Sequence, residues 1–343
     1  MQKRIYKSHW PSPKEISPQH SLVIFDQALA KYPSFRNWKS KYPVSYGVSS
    51  GEKLKNLEMF SGHLQKILQL ANQLEKRPIQ IVAVGGGSVG DFAGFVASVF
   101  KRGVGLVHIP STWLAAIDSS HGGKTGMNVG GIKNQVGTFY PAGEIFLIKE
   151  LLQTQPQKRA EEALGEALKI ALIDSQGLWT RINHQENISN SMLWKSLPSL
   201  VDAKYRVVRK DPFEQKGIRH VLNLGHTVGH VLESKLKIPH GTAVLAGLGF
   251  SLQWSVQKGL LSQAHCEEIL KSRQGKKIPT GRDLSLLLRK LSSKNKLRDL
   301  LLQDKKRKDG QEIRFVFVCR PGKTIIRSMP VREIEAEILR QSR

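Results

Sequence analysis

The sequence predicts an α/β domain with a parallel sheet over residues 1–155, followed by a mostly α-helical domain over residues 156–343. Three observations carry this reading. Short β-branched runs alternate with amphipathic stretches through the first part, the pattern of a parallel sheet with helices on its faces. Helical periodicity then takes over almost without interruption. The change of pattern falls near Gln155–Pro156.

Taken in order, Ser21–Phe25 reads as a strand ending at Asp26, and Tyr42–Val48 as a second, weaker one. Leu54–Leu74 is amphipathic with helical period. Ile79–Val84 is a β-branched apolar run between Pro78 and Gly85, as a buried strand requires. Val89–Phe100 is helical, and Leu106–Ile109 is a short strand stopped by Pro110. Further on, helices are expected across Arg159–Ile173, Leu193–Val208, Val221–Leu236, Thr242–Lys258 and Leu284–Leu302, with one strand, Glu312–Cys319.

Composition bounds the function classes. A chain of 343 residues with 40% hydrophobic content can build two cores. No apolar run approaches the roughly 18 residues of a membrane helix, and the basic N-terminus has no apolar segment behind it, so neither a membrane span nor a secretory signal is expected. The two cysteines, Cys266 and Cys319, form no metal spacing and no disulfide framework, and a reducing cytoplasm is the expectation. The net charge is +25, and residues 271–343 hold 21 Lys and Arg against 8 Asp and Glu. A nucleic-acid footprint is one reading of that excess. A solvated helix face is the other, and Leu284, Leu287, Leu288, Leu291, Leu297, Leu300 and Leu301 at helical spacing favour it. No specific nucleic-acid partner is expected.

Three segments carry candidate chemistry. Gly85-Gly86-Gly87-Ser88-Val89-Gly90-Asp91 follows a buried strand, opens a helix and contains G-x-G-x-x-G. Such glycines let backbone approach a phosphate, while free helix N–H groups face the anion. A plain glycine-rich turn is the competing reading. The acidic residue usual about 20 positions on is absent, so a dinucleotide's ribose and adenine would be held elsewhere; Asp26, and Glu52 with Lys55, are candidates. Between Pro110 and Tyr140 a long glycine-rich functional loop is expected, bearing Asp118, Lys124, Lys133 and Asn134 and suited to phosphate or carboxylate capture; disorder is the alternative, and Ile117, Met127, Val129, Ile132 and Val136 argue against it. Finally, His226 and His230 stand four apart in LNLGHTVGH, His240 follows, and Glu166 lies in an earlier helix. Two histidines and a carboxylate form a catalytic zinc set with an open position; an ordinary i, i+4 histidine pair is the alternative. Gly225 and Gly229, each directly before a histidine, cost about 1 kcal/mol apiece in a helix and suggest close approach of something to the backbone.

The segments GGGSVGDFAGFVAS, KRGV, IDSSHGGKTGMN, GIKNQVGTFY, GEALKIALI and LNLGHTVGHVLE resemble those of 3-dehydroquinate synthases, in the same order and at nearly the same spacing, from about Leu22 to Ile326. The resemblance implies a homodimer with a Rossmann-like NAD-binding domain and a helical metal domain. The implied reaction converts 3-deoxy-D-arabino-heptulosonate 7-phosphate to 3-dehydroquinate and phosphate, in the shikimate pathway to aromatic amino acids. Implied metal ligands, for Zn2+ or Co2+, are Glu166, His226 and His240, with His230 a proton-handling neighbour. Implied contacts to the phosphate and carboxylate of the sugar acid are Lys124, Asn134, Lys169, Lys204, Arg219, Asn223 and Lys305 or Lys306. Arg102 would reach the phosphate site of the other subunit, and Asp118 would sit beside the nicotinamide and the reacting hydroxyls. Implied NAD contacts are Asp26, Glu52, Lys55, Gly87, Ser88, Val89, Gly90, Asp91, Ser111, Thr112, Lys124 and Lys133.

The chain departs from the family pattern at Thr242, where glutamate is usual, and at Ala28, where asparagine is usual. The segment Asp211–Arg219 is one residue longer than usual. Rival readings are another sugar-phosphate cyclase, a metal-dependent polyol dehydrogenase, and a basic nucleic-acid-binding protein on an inactive scaffold. Arg219, Lys204 and Arg102 favour a carboxylated, phosphorylated substrate.

Overall fold

The structure, a computed structural model, describes residues 2–75, 77–185, 187–292, 297–303 and 312–343. The chain divides into two compact units, Met1–Arg159 and Ala160–Arg343.

In the first unit the strands are β1 (Lys3–Lys7), β2 (Ser21–Asp26), β3 (Ser45–Val48), β4 (Gln80–Gly85), β5 (Gly105–Pro110), β6 (Lys124–Val129), β7 (Ile132–Phe139) and β8 (Glu144–Ile148). Six form one sheet in the order β1-β8-β5-β4-β2-β3, and every pairing is parallel. Val23, Val82, Val84, Val107, Ile109, Phe146 and Ile148 enter one core with Phe35, Trp38 and Tyr42. Buried strands of this composition need helices on both faces. The strand order reverses between β2 and β4, and register aligns Phe25 with Val84 and Gly85 with Pro110. Asp26, the glycine loop and Ser111 therefore share the carboxyl edge of the sheet, where open α/β sheets bind ligands.

Several expectations need correcting. Tyr42–Val48 contributes only the strand Ser45–Val48. The helix expected over Leu54–Leu74 is broken: short 3-10 turns at Glu52–Lys55 and Leu57–Met59 precede a helix at Phe60–Ala71. Asn56 stands between the turns in extended conformation and bridges to Asn128. The stretch after Pro110 is no loop. Most of it is the antiparallel hairpin β6–β7, turned by Gly130 and Gly131 at φ +56° and +76°, the left-handed pair that tight hairpins favour.

The second unit is mostly helical, with one hairpin of β9 (Glu312–Arg320) and β10 (Lys323–Pro330). Its core gathers Phe250, Trp254, Phe315 and Phe317 with Leu284, Leu288 and Leu291, so the leucine stripe faces inward. The helix expected over Leu284–Leu302 is described as two, Gly281–Ser292 and Leu297–Gln303. The one expected over Val221–Leu236 starts only at His226, after a 3-10 turn at Ile218–Asn223 and a left-handed Gly225.

What approaches the glycines here is backbone. A Cβ on Gly225 would sit 3.0 Å from Leu248 N, and one on Gly229 would sit 2.9 Å from Ala243 O. A Cβ on Gly247 would overlap the Gly225 carbonyl oxygen, and one on Gly241 the Glu162 carbonyl oxygen. Helices Gln157–Asp174, His226–Leu236 and His240–Gln257 thus meet main chain to main chain. Among the described residues no helix is long and apolar enough to cross a membrane.

Candidate functional site

Three helices of the second unit supply one cluster. Glu166 is 1% exposed on the Gln157–Asp174 helix. His226 opens the next helix and His240 the one after. The donor atoms of the three lie within 4.8 Å of one another. Glu166 Oε1 is 3.2 Å from His226 Nε2 and 3.3 Å from His240 Nε2.

Backbone and side-chain partners set the tautomers. His226 Nδ1 donates to the Leu224 carbonyl at 3.2 Å, and His240 Nδ1 donates to Glu233 Oε2 at 2.8 Å. Each Nε2 therefore turns toward the same carboxylate oxygen. Burial, helped by the Lys169 charge, pushes His226 down to about 4. A neutral imidazole protonated at Nδ1 faces Glu166 with a lone pair, so two acceptors oppose each other, an arrangement that a cation between them resolves. Burial pulls His240 down, but Glu166 and Glu233 outweigh it and raise it to about 10. Burial likewise pushes Glu166 up, yet the Lys169 ammonium, then His226, hold it well below the usual carboxylate range. Lys169 Nζ lies 2.5 Å from Glu166 Oε2, out of line for a hydrogen bond. One buried carboxylate and two Nε2 atoms suit a divalent ion such as Zn2+, with positions left open. The His230 ring is 4.9 Å from that of His226 and 6.2 Å from that of His240.

Lys169, beside Glu166, and Lys204 and Arg219 of the same unit are all buried cations, 2%, 4% and 4% exposed. Lys204 rides the Asn190–Lys210 helix, which packs against the turn bearing Arg219 and Asn223. Buried cations suit a polyanionic ligand. Lys305 and Lys306 lie outside the described residues.

In the first unit, β4 runs through Gly85 into the Gly87–Val99 helix. A Cβ on Gly85 would lie 2.6 Å from Val89 Cβ, so glycine permits the close strand–helix turn. The helix starts at Gly86 with no side-chain cap and no acidic residue in its first turn. Its leading N–H groups and the glycine surface fit a pyrophosphate. The Ser88 hydroxyl accepts from Gly51 N at 2.9 Å, which ties the Glu52 turn to the loop. Lys55 Nζ reaches Asp91 Oδ2 at 2.8 Å and Asn134 Oδ1 at 2.6 Å, joining helix and hairpin through one ammonium. Burial pushes Asp91 up despite that partner.

Asp26 caps its own turn by accepting from Ala28 N at 3.0 Å. Ser111 N donates to Gly85 O, and Thr112 caps the helix that leads to Asp118. Lys124 and Lys133 are exposed on the hairpin, and Arg102 is exposed past the end of the Gly87–Val99 helix. Asn134 sits at φ +54° on β7.

Two positioning groups escaped the sequence reading. Glu233, which holds His240, continues the i, i+4, i+7 face of His226 and His230, a signal that was available. Asn128 donates to Glu52 Oε2 at 2.9 Å and accepts from Asn134 N at 2.9 Å; nothing local marks it.

Comparison with known proteins agrees with this geometry. Residues 45–162 match the N-terminal domain of 3-dehydroquinate synthase and residues 163–307 its C-terminal domain. The 3-dehydroquinate synthase of Campylobacter concisus is 33% identical over 91% of this chain and 87% of its own. That of Pyrobaculum islandicum is 35% identical over 84% and 82%. Among solved structures, 2-epi-5-epi-valiolone synthase from Streptomyces hygroscopicus, with NAD+ and Zn2+ bound, shares the fold at a TM-score of 0.81 and 21% identity, covering 100% of this chain and 97% of that one. A 2-deoxy-scyllo-inosose synthase, complexed with carbaglucose-6-phosphate, NAD+ and Co2+, does so at 0.79 and 22%, covering 98% and 96%. The first unit is Rossmann-like and the second mostly helical, as in those cyclases. Matched in both halves by its domain families and along most of its length by its members, the chain belongs to the 3-dehydroquinate synthase family.

Proposed function

We propose that this chain converts 3-deoxy-D-arabino-heptulosonate 7-phosphate to 3-dehydroquinate and phosphate, with NAD and a divalent metal, Zn2+ or Co2+. The observation that carries the reading is the pair of Nε2 atoms facing one buried Glu166 oxygen at 3.2 and 3.3 Å, in a chain of this family. When bound, NAD supplies the hydride acceptor and later donor, and the metal supplies a Lewis acid for adjacent substrate hydroxyls.

The residues have separate tasks. Gly87, Ser88, Val89, Gly90 and Asp91 take the pyrophosphate side of NAD, and Asp26, Glu52, Lys55, Ser111, Thr112, Lys124 and Lys133 complete its contacts. Glu166, His226 and His240 hold the metal. Asp118 stands by the hydroxyl to be oxidised, and His230 handles protons beside the ligands. Lys124, Asn134, Lys169, Lys204, Arg219 and Asn223 neutralise the phosphate and carboxylate ends. Oxidation of one substrate carbinol makes the neighbouring C–H acidic, and phosphate departs by elimination. The carbinol is then restored, the ring opens, and an intramolecular aldol step closes the carbocycle. Cations that meet the leaving phosphate lower the barrier to its departure.

We also propose a homodimer in which Arg102 of each chain reaches the other's phosphate site, working in a reducing cytoplasm. The two free thiols, Cys266 and Cys319, support the compartment. The test is phosphate release from the heptulosonate phosphate with the product identified, at NAD substoichiometric to the product formed. Dehydroquinate should accumulate without net NADH; NADH rising one for one with product would make the chain a dehydrogenase.

A further inference from the structure

Residues 211–217 connect the Asn190–Lys210 helix to the 3-10 turn that carries Arg219. The segment holds two left-handed residues, Glu214 at φ +56° and Gly217 at φ +74°. Glycine takes that region freely, but Glu214 does so at a cost that surrounding contacts must offset. Asp211 supplies them. It is 2% exposed. Its Oδ1 accepts from Lys216 N at 3.1 Å, and its Oδ2 accepts from Ile218 N at 3.0 Å and from Arg219 N at 3.4 Å. Its own N–H donates to Val208 O at 3.1 Å and its carbonyl accepts from Glu214 N at 3.2 Å, which root it in the preceding helix.

The far end is tied as well, because Arg219 Nη1 donates to Pro212 O at 2.9 Å. Backbone and guanidinium of Arg219 thus both depend on the loop that one carboxylate closes. Among the described residues Asp211 makes no ion pair, so backbone N–H groups alone stabilise its charge. They hold its carboxyl below the usual range although burial pushes the other way.

We propose that Asp211 is a positioning residue for substrate binding: its carboxylate locks the 212–219 loop so that Arg219 is already placed for an anionic group of the substrate. This rests on Arg219 being a substrate contact, as proposed above. It makes Arg219 a preorganised partner, so binding does not have to order the loop. Asparagine at 211 would turn an amide N–H2 toward backbone donors, or leave one donor without an acceptor.

The test is a double-mutant cycle on the metal- and NAD-loaded enzyme, with Asp211→Asn, Arg219→Ala and the pair. The readouts are KM for the heptulosonate phosphate, kcat, and NAD affinity. Asp211→Asn should raise KM on the order of tenfold, with kcat and NAD affinity within about twofold, the pattern of lost substrate binding. In the Arg219→Ala background the same change should add nothing further, because Asp211 acts through Arg219. An Asp211→Asn KM like wild type, beside a raised one for Arg219→Ala, overturns the proposal alone. Equal effects of Asp211→Asn in both backgrounds overturn it too, as a general structural role. If Arg219→Ala itself leaves KM unmoved, the reading of Arg219 fails and takes this one with it. Should Asp211→Asn fold poorly, Asp211→Ser, which keeps one acceptor oxygen, carries the same cycle.

Discussion

Glu233 offers a sharp test of how the metal centre is held. Its carboxylate accepts from His240 Nδ1 at 2.8 Å, and His240 Nε2 faces Glu166. Glu233→Gln preserves shape and removes the charge. A charge-assisted hydrogen bond is roughly twice as strong as a neutral one, and the carboxylate also makes the imidazole a more basic donor to a metal. Loss of such an outer carboxylate costs about 10- to 100-fold in metal affinity, or about 1.4 to 2.7 kcal/mol. The expected result is a zinc dissociation constant raised by roughly that factor, measured by competition with a chelating dye, with full occupancy recovered at saturating zinc. Far-ultraviolet circular dichroism should not change, because the helix bearing Glu233 is held by Val228, Val231 and Leu232 in the core. An affinity equal to wild type would show that Glu233 does not orient His240.

His226→Ala and His240→Ala should each lose most bound metal and essentially all activity, while His230→Ala keeps metal near one per chain and loses turnover; metal analysis of the three variants decides this, and a metal-free His230→Ala beside a fully loaded His240→Ala overturns the ligand set. Gly247→Ala places a methyl against the Gly225 carbonyl, so it should lower stability by about 1–3 kcal/mol or more and weaken metal retention, seen as a lower melting temperature; an unchanged melting temperature and metal content would refute it. His108 is pushed down to about 4 by burial, below its ordinary value near 6.5. Its neutral form is the folded form, so the unfolded chain binds the extra proton as pH falls from about 6.5 to 4, and stability on the order of 1–3 kcal/mol is lost across that window. Urea titrations of His108→Gln should show a shallower acid limb than wild type, and identical slopes would remove His108 as the cause.

How much of this was legible depended on whether the signal was local. The glycine loop was readable because a buried β-branched run, a glycine triplet and a helix onset coincide within a dozen residues. Parallel strands such as Ile79–Val84 announce themselves by being apolar on both faces. Glu166 lies in an earlier helix and His240 just beyond the helix of His226, and no periodicity joins the three; only the family resemblance selected them. β7 escaped because its residues are mostly exposed and lack the alternation that marks a half-buried strand. β1, Lys-Arg-Ile-Tyr-Lys, is an edge strand whose order comes from pairing with β8. The break at Gly225 was invisible since helical period continues through the 3-10 turn before it; the left-handed flip depends on the backbone of the His240–Gln257 helix lying against it.

At the glycine crossings of the second unit it is chiefly main chain that meets main chain. A leucine core tolerates trading one methylene for another, whereas carbonyls resting on Cα atoms have no such slack. Glu166, His226 and His240 all ride helices that meet at this seam, so the spacing of the three donors is tied to main chain. One added methyl at the seam would shift the helices, and the donors would move along with them.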